Sequence, residues 1–399
     1  MNSEKRHIEQ WLMSGMLMLL MMLAACGSSS EDDVVTKPKE KPVLKIYLFA
    51  PESPIVTRAD NGNVISYTQE RQIHTIDVWV FEHNVPINRP HQVSYIHLDN
   101  LSFDGQREIA MEISDEFANL PQKPNVDIYV VANKESAGLN LNKNTTLDQL
   151  KTACIGTTFF GLSPLVTSES FPATGLPMSG LLENQIVSGI PPVYTAKQNN
   201  VKLVRAVSKM RFVFSKSSSN PPVINDLSIS LNANMLPDEE YIFLEGTYPD
   251  KKSHVKTEAY NTAAVTLVSG KSIADINACD NPATYVYTSG TGQAYETKID
   301  NGLTDIPEGK EKPELSQLGL FYLRESDKKL EGTISYKVGA GDSPQQKDVS
   351  FAMNAAGDFT RNHTWIVYGY FLGNGDLKLN VVDVKEWSSG SENPDLYNW

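Results

Sequence analysis

This sequence has little of what marks enzymes, metal proteins or nucleic-acid binders. Its 399 residues hold three cysteines, none in a Cys-x-x-Cys pair, which argues against thiol redox chemistry. Seven histidines include no His-Glu-x-x-His and no i,i+4 pair. His91 and His97, at even spacing, could share a strand face and hold a metal, but solvated surface histidines are the simpler reading. Ser179 in Leu-Pro-Met-Ser-Gly lacks the Gly-x-Ser-x-Gly elbow of a hydrolase. Asp275–Asp280 lacks the spacing of a calcium loop. Gly339-Ala-Gly341-Asp342 has no strand–helix context for cradling phosphate. With no convergent titratable set, the chain reads as a non-enzyme that needs no cofactor and no metal. Positive charge is also short, 35 Lys and Arg against 48 Asp and Glu for a net −13, which argues against nucleic acid or an anionic membrane as partner.

Long apolar runs are missing too. Leu12–Leu23 is Met- and Leu-rich but well short of the ~20 residues that span a bilayer. It follows a modest basic head, Lys5 and Arg6, and closes on Leu23-Ala24-Ala25-Cys26. That pattern is a bacterial lipobox in which the Cys26 thiol is acylated, the plainer alternative being an ordinary signal peptide ending near a cysteine. Residues 1–25 are therefore set apart as a signal peptide. The polar, acidic Gly27–Asp33 that follows is a tether unable to form a core. Cys154 and Cys279 remain; they could pair, but fall in different domains and are read as two buried thiols.

What the chain does have is short strand patterns separated by Gly, Pro and Asn. In the first half they are Ile73–Glu82, Val93–Leu98, Arg107–Ile113 and Val126–Ala132. Asn144–Ala153 is the best helix, with Thr146 and Gln149 spaced as a capping box. Phe171–Gly180 is broken by Pro and Gly, and Gly189-Ile-Pro-Pro192 reads as a linker ahead of one long extended run, Asn200–Ser215. Further strands are expected at Val223–Leu231, Tyr241–Leu244, Ala263–Val268, Thr284–Tyr287, Leu318–Leu323, Thr333–Val338, Val349–Met353, Trp365–Leu372 and Leu377–Val384. Gly373-Asn-Gly375-Asp376 joins the last pair as a tight hairpin. The expected fold is mainly β with few short helices: two tandem β-sandwich domains, 59–200 and 201–399.

The chain is organised around Pro42–Asp60. Val43–Phe49 carries Leu44, Ile46 and Leu48 on one face and Val43, Tyr47 and Phe49 on the other, so both faces are expected to be buried. A loop punctuated by Pro51, Pro54 and Asn61-Gly62 follows, with Thr57-Arg58-Ala59 in the open for a protease.

Together these segments resemble a fimbrillin, a structural subunit of the type V pili of Bacteroidetes. The likeness rests on the lipobox, Leu44–Phe49 with Thr57-Arg58-Ala59, Thr75–Phe81, Val130-Val-Ala-Asn133 and Gly175-Leu-Pro-Met-Ser-Gly180. It continues through Leu203–Arg211, Arg361-Asn-His-Thr-Trp365 and Val382-Asp-Val-Lys-Glu-Trp387. The resemblance implies transthyretin-like sandwiches and an outer-membrane lipoprotein precursor, attached through Cys26, that matures into a cell-surface fimbrium supporting adhesion. A trypsin-like, Arg- or Lys-specific protease would cut between Arg58 and Ala59 and release residues 26–58, tether and first strand together. Leu44, Ile46 and Leu48 would be the self-plugging strand, and the partners would be other pilin subunits. The donor strand carries Leu377, Leu379 and Val381 on one face and Val382 and Val384 on the other, with Trp387 as an aromatic anchor. The change of phase after Val381 predicts a bulge or a break. A last strand kept in its own domain is the alternative for that segment. Tip or anchor subunits of the same pilus remain open, as does a surface glycan-binding lipoprotein using Trp79 or Tyr129 as sugar platforms.

Overall fold

Short runs rich in β-branched and aromatic residues, closed by Gly, Asn or Pro, become strands. The computed structural model is accordingly mainly β with a few short helices, in an arrangement consistent with tandem β-sandwiches. It describes residues 40–51, 67–84, 91–156, 165–167, 171–217, 220–244, 259–272, 276, 278–279, 287–288, 294–295, 316–340, 343–353, 356–357 and 359–384.

The first strands are β1 (Val43–Phe49), β2 (Ile76–Glu82), β3 (Gln92–Leu98), β4 (Gln106–Glu112) and β5 (Val126–Ala132). Next come β6 (Cys154–Ile155), β7 (Leu165–Thr167), β8 (Met178–Gln185), β9 (Val187–Ile190), β10 (Val193–Lys202) and β11 (Val204–Arg205). The second half contributes β12 (Ser208–Ser217), β13 (Ile224–Leu231), β14 (Glu240–Tyr241), β15 (Val265–Lys271), β16 (Ala278–Cys279), β17 (Tyr287–Thr288) and β18 (Ala294–Tyr295). It closes with β19 (Ser316–Leu323), β20 (Glu331–Val338), β21 (Gln345–Ala352), β22 (Thr364–Phe371) and β23 (Leu377–Val384). The helices are α1 (Tyr67–Arg71), α2 (Asp115–Asn119) and α3 (Leu147–Lys151).

One sandwich sets the sheet β4-β1-β10-β9 against β11-β8-β5-β2-β3. Leu44, Ile46, Leu48, Val78, Val80, Ile128 and Val130 meet in its core. The other sets β23-β22-β12-β19-β7 against β15-β13-β20-β21, over Phe212, Phe214, Ile229, Ile334, Phe351 and Trp365. The capping box forms as expected: Thr146 accepts from the Gln149 amide, and the Gln149 side chain accepts from the Thr146 amide.

Three expectations change. Gly189–Pro192 is not a linker but the tight end of the β9–β10 hairpin, in which Ile190 pairs with Val193. Asn200–Ser215 is not one strand: it is the end of β10, then β11, then most of β12, as the chain passes from one core to the other. Tyr241–Leu244 is not a strand throughout; only Glu240–Tyr241 pairs, with β6.

The seam between the two cores is polar and buried. Glu70 of α1 lies 2.9 Å from the Lys209 ammonium, both side chains fully buried. Tyr322 also donates to the Glu70 carboxylate. Arg205 donates to the Glu70 carbonyl at 2.9 Å and to Asn362 at 3.0 Å. A second knot joins Arg361 to Glu325 at 2.6 Å and to the Ile242 carbonyl at 2.8 Å. Beside it Glu240 accepts from the Glu325 amide at 2.8 Å, and Arg324 reaches the Gly156 carbonyl at 3.0 Å. Buried pairs of this kind stabilise little in sum but are strongly destabilising to break, because the surviving charge is left in low dielectric.

Burial pushes the Glu240 carboxyl up to about 8, with Arg361 drawing it down and Glu325 adding to the rise. A folded value above the ordinary 4.5 means the folded chain holds the proton more tightly than the unfolded chain does. This contribution is therefore complete below about pH 4.5 and is lost as pH climbs to about 8. Glu240→Gln is expected to flatten the fall in melting temperature between pH 5 and pH 8.5; an unchanged slope would refute this assignment.

Candidate functional site

β1 is an interior strand of its sheet, although it is the first strand described. Its seven residues pair antiparallel with β4 without interruption, from Val43 opposite Glu112 to Phe49 opposite Gln106. On the other side it runs parallel to β10. There the register breaks: Lys45 faces Thr195 and Tyr47 faces Asn200, two steps along β1 against five along β10. The intervening residues of β10 turn away from Ile46. Lys197 donates its amide to the Ile186 carbonyl at 2.8 Å, and the Gln198 amide reaches the Gln185 side chain at 3.0 Å. β1 is thus paired without a break on one side and with a single interruption, at Ile46, on the other.

The strand's ends are tied down. Val43 donates to the Pro192 carbonyl at 2.8 Å, and Leu203 donates to the Phe49 carbonyl at 2.9 Å. Leu44, Ile46 and Leu48 are wholly buried, and at ~1.5–3 kcal/mol per side chain they contribute roughly 5–9 kcal/mol of apolar burial. The opposite face does not match the expectation of a strand buried on both sides: Val43, Lys45, Tyr47 and Phe49 are half-buried. That face ends in water because Lys45 donates to Glu108 at 2.7 Å and Tyr47 donates to the same carboxylate at 2.8 Å. The Lys45 hydrogen bond first, and the Tyr47 one second, hold the Glu108 carboxyl below its ordinary value.

The segment after β1 is pinned where it begins and where it ends. Ala50 donates to the Gly105 carbonyl at 2.8 Å, and Arg71 of α1 donates to the Pro51 carbonyl at 2.6 Å. Glu70, one residue earlier, is the buried anchor to Lys209. Arg58 and Ala59 fall between these pins and lie outside the described residues, as do Cys26 and Trp387.

β23 is an edge strand. It pairs only with β22 among the described strands, from Phe371 opposite Leu377 to Thr364 opposite Val384, with no shift of register. The bulge expected from the change in apolar phase is absent: the strand keeps its alternation and turns Leu377, Leu379 and Val381 to the second core. Val382 and Val384 belong to the strand; their side chains lie outside the described residues. The hairpin ahead of it forms as expected, with Gly375 at φ +80° and Leu372 donating to the Asp376 carbonyl at 2.8 Å.

Other candidates resolve plainly. Trp79 and Tyr129 are buried, Trp79 donating to the Asn142 carbonyl at 2.9 Å, so neither can be a sugar platform. His91 and His97 each meet a carboxylate of β2, Glu82 at 2.9 Å and Asp77 at 3.1 Å. Ser179 donates to the Ile242 carbonyl at 2.6 Å. Cys154 is a half-buried thiol rather than a fully buried one.

Of the two walls of the β1 seat, β4 was expected as a strand at Arg107–Ile113 and β10 was not foreseen. The polar Lys197–Asn200 stretch hides β10, whose buried residues Tyr194, Ala196 and Val201 alternate only on either side of it. The signal was the pair of apolar patches, read apart from each other.

No family model and no curated protein matches the chain. Solved structures do. It is similar to a candidate cell-adhesion protein of Parabacteroides distasonis, at 14% identity and TM-score 0.47, over 89% of this chain and 99% of that one. It is also similar to the C-terminally truncated tip fimbrial protein of Porphyromonas gingivalis, at 13% identity and TM-score 0.45, over 86% and 99%. A fimbrial assembly protein of Parabacteroides distasonis is similar at 14% identity and TM-score 0.41, over 87% and 97%.

Ile46→Ala is expected to lower the stability of the intact chain by about 2–5 kcal/mol in denaturant unfolding. Lys45→Ala, on the half-buried face, should change it far less. The reverse order would show that β1 is not held by its apolar face.

Proposed function

We propose that this protein is a structural pilin subunit that polymerises by protease-triggered donor-strand exchange. It would reach the outer membrane as a lipoprotein acylated on Cys26 and pass into an extracellular fimbrium that supports adhesion. A trypsin-like protease cutting between Arg58 and Ala59 would free residues 26–58, and with them β1. The remaining chain would hold two sandwich domains that divide near residue 200.

One observation carries the reading: among the described strands, the first is a central strand and the last an edge strand. Removing β1 leaves β4 and β10 with unpaired edges above an apolar trough, an unstable surface that favours β-strand addition. Leu377, Leu379 and Val381 repeat the i, i+2, i+4 spacing of Leu44, Ile46 and Leu48. A strand like β23 that moved from one hydrogen-bonded neighbour to two would gain a second ladder of backbone bonds. Because Glu70 ties the chain beyond the cut to Lys209, the mature subunit would keep its seam when β1 leaves, while the Arg71 bond to Pro51 would go with the released segment.

A tip or anchor subunit is the second reading, and the unbroken pairing of β23 with β22 favours it, since a strand kept there donates nothing. Glycan binding loses its basis with the burial of Trp79 and Tyr129.

Limited trypsin treatment is expected to give a new N-terminus at Ala59 by sequencing and, with it, ladders of polymer on denaturing gels. Arg58→Gln should abolish both. Digested protein that retains β1 and stays monomeric would exclude strand exchange.

A further inference from the structure

Few large apolar side chains of the described surface stand in water, and most are gathered on one feature. Ile186, Ile190 and Val193 are 49%, 85% and 39% exposed, and all three belong to the turn and hairpin that lead from β8 through β9 into β10. Ile190 and Val193 are the closing pair of that hairpin, with Pro191 and Pro192 between them. Gly189, at φ +152°, makes the close approach possible, since a Cβ there would fall 2.3 Å from the Val193 carbonyl oxygen. At 85% exposure Ile190 adds almost nothing to the core of its own chain. Single exposed aliphatics are ordinary, but Ile190 and Val193 stand as a pair at the hairpin's tip, with Ile186 at its other end, and grouped exposed apolar residues mark a contact surface.

Its position says what the contact is. Val193 lies opposite Val43, the first residue of β1, and the Pro192 carbonyl accepts the Val43 amide at 2.8 Å. Whatever occupies the seat of β1 therefore ends against this tip. β23 follows the Gly373–Asp376 turn with no linker. If it took the seat in the direction of β1, keeping the antiparallel pairing to β4, its Leu377 end would lie beside Val193. The turn and the body of the donating molecule would then meet Ile190.

We propose that the Ile190-Pro-Pro-Val193 tip is a docking lip for a second copy of this chain, holding the body of the subunit whose strand fills the seat. The inference rests on the strand-exchange reading. The lip adds contact area continuous with the seat and outside the strand itself, so it acts on whole subunits and not on an isolated strand.

The test uses the full chain carrying Ile190→Ser with Val193→Thr, cleaved by trypsin beside the wild type, with melting temperature confirming that both fold. A synthetic peptide of residues Leu377–Val384, which brings no body, is expected to bind both proteins equally. Ladder formation should be about tenfold slower in the variant, the effect of losing roughly one aliphatic contact. Ladders forming at the wild-type rate would overturn the lip while leaving strand exchange standing. Equal loss of peptide and ladders would make the tip part of the strand seat and overturn the lip as well. Loss of binding to phosphatidylethanolamine vesicles with ladders unchanged would assign the tip to lipid instead. Wild-type protein that neither binds the peptide nor forms ladders would remove strand exchange, and this inference with it.

Discussion

A strand in the middle of a sheet must satisfy two neighbours at once, and β1 does so from an unusual place in the chain. Its seven residues close the sheet between β4 and β10 and cover the core with three aliphatic side chains. Take it away and two rows of backbone donors and acceptors face water above an apolar floor. Neither is tolerable for long. The proposed function follows from that dependence, because a sheet that lacks its second strand accepts another of the same pattern. The detour of β10 opposite Ile46 interrupts one ladder, and the apolar face, the β4 ladder and the bonds at both ends of β1 hold the strand.

The second constraint is the buried seam. Glu70 with Lys209, and Glu325 with Arg361, place charges where water cannot reach, so each needs its partner in place. The fixed geometry of the fold explains what several of the sequence motifs are for in this chain. Asn133, at φ +54°, takes the His74 amide on its side-chain oxygen and gives its amide protons to Gln72 and Leu176. Arg205, Lys209, Arg361 and Asn362 are members of the seam itself. These residues look like chemistry in a list of motifs. In the fold they hold strands and turns together.

Much of the architecture was legible. Val126–Ala132 and Leu377–Val384 form with the bounds expected, because short valine-rich runs bounded by turn residues favour strands. Thr146 and Gln149 make their capping box because both partners lie within one helical turn. What failed was non-local. Pro191-Pro192 reads as a linker in isolation and proves to be a hairpin end, since only the pairing of β9 with β10 distinguishes the two. The apolar phase change in β23 suggests a bulge, yet β22 holds all eight pairs in register.

The sequence alone determined that the protein is mainly β, that Leu44, Ile46 and Leu48 share a face, and that no familiar catalytic set is spelled out. Those are properties of residue type and short spacing, and they survive any tertiary arrangement. Only the tertiary structure decided that, among the described strands, β1 has neighbours on both sides while β23 has one. It also decided that Tyr47 and Lys45 turn to Glu108 and not to the core, and that Trp79 and Tyr129 are interior. The Lys45, Tyr47 and Trp79 contacts join residues 60 or more positions apart, whose approach is fixed by sheet pairing and core packing and by no local pattern.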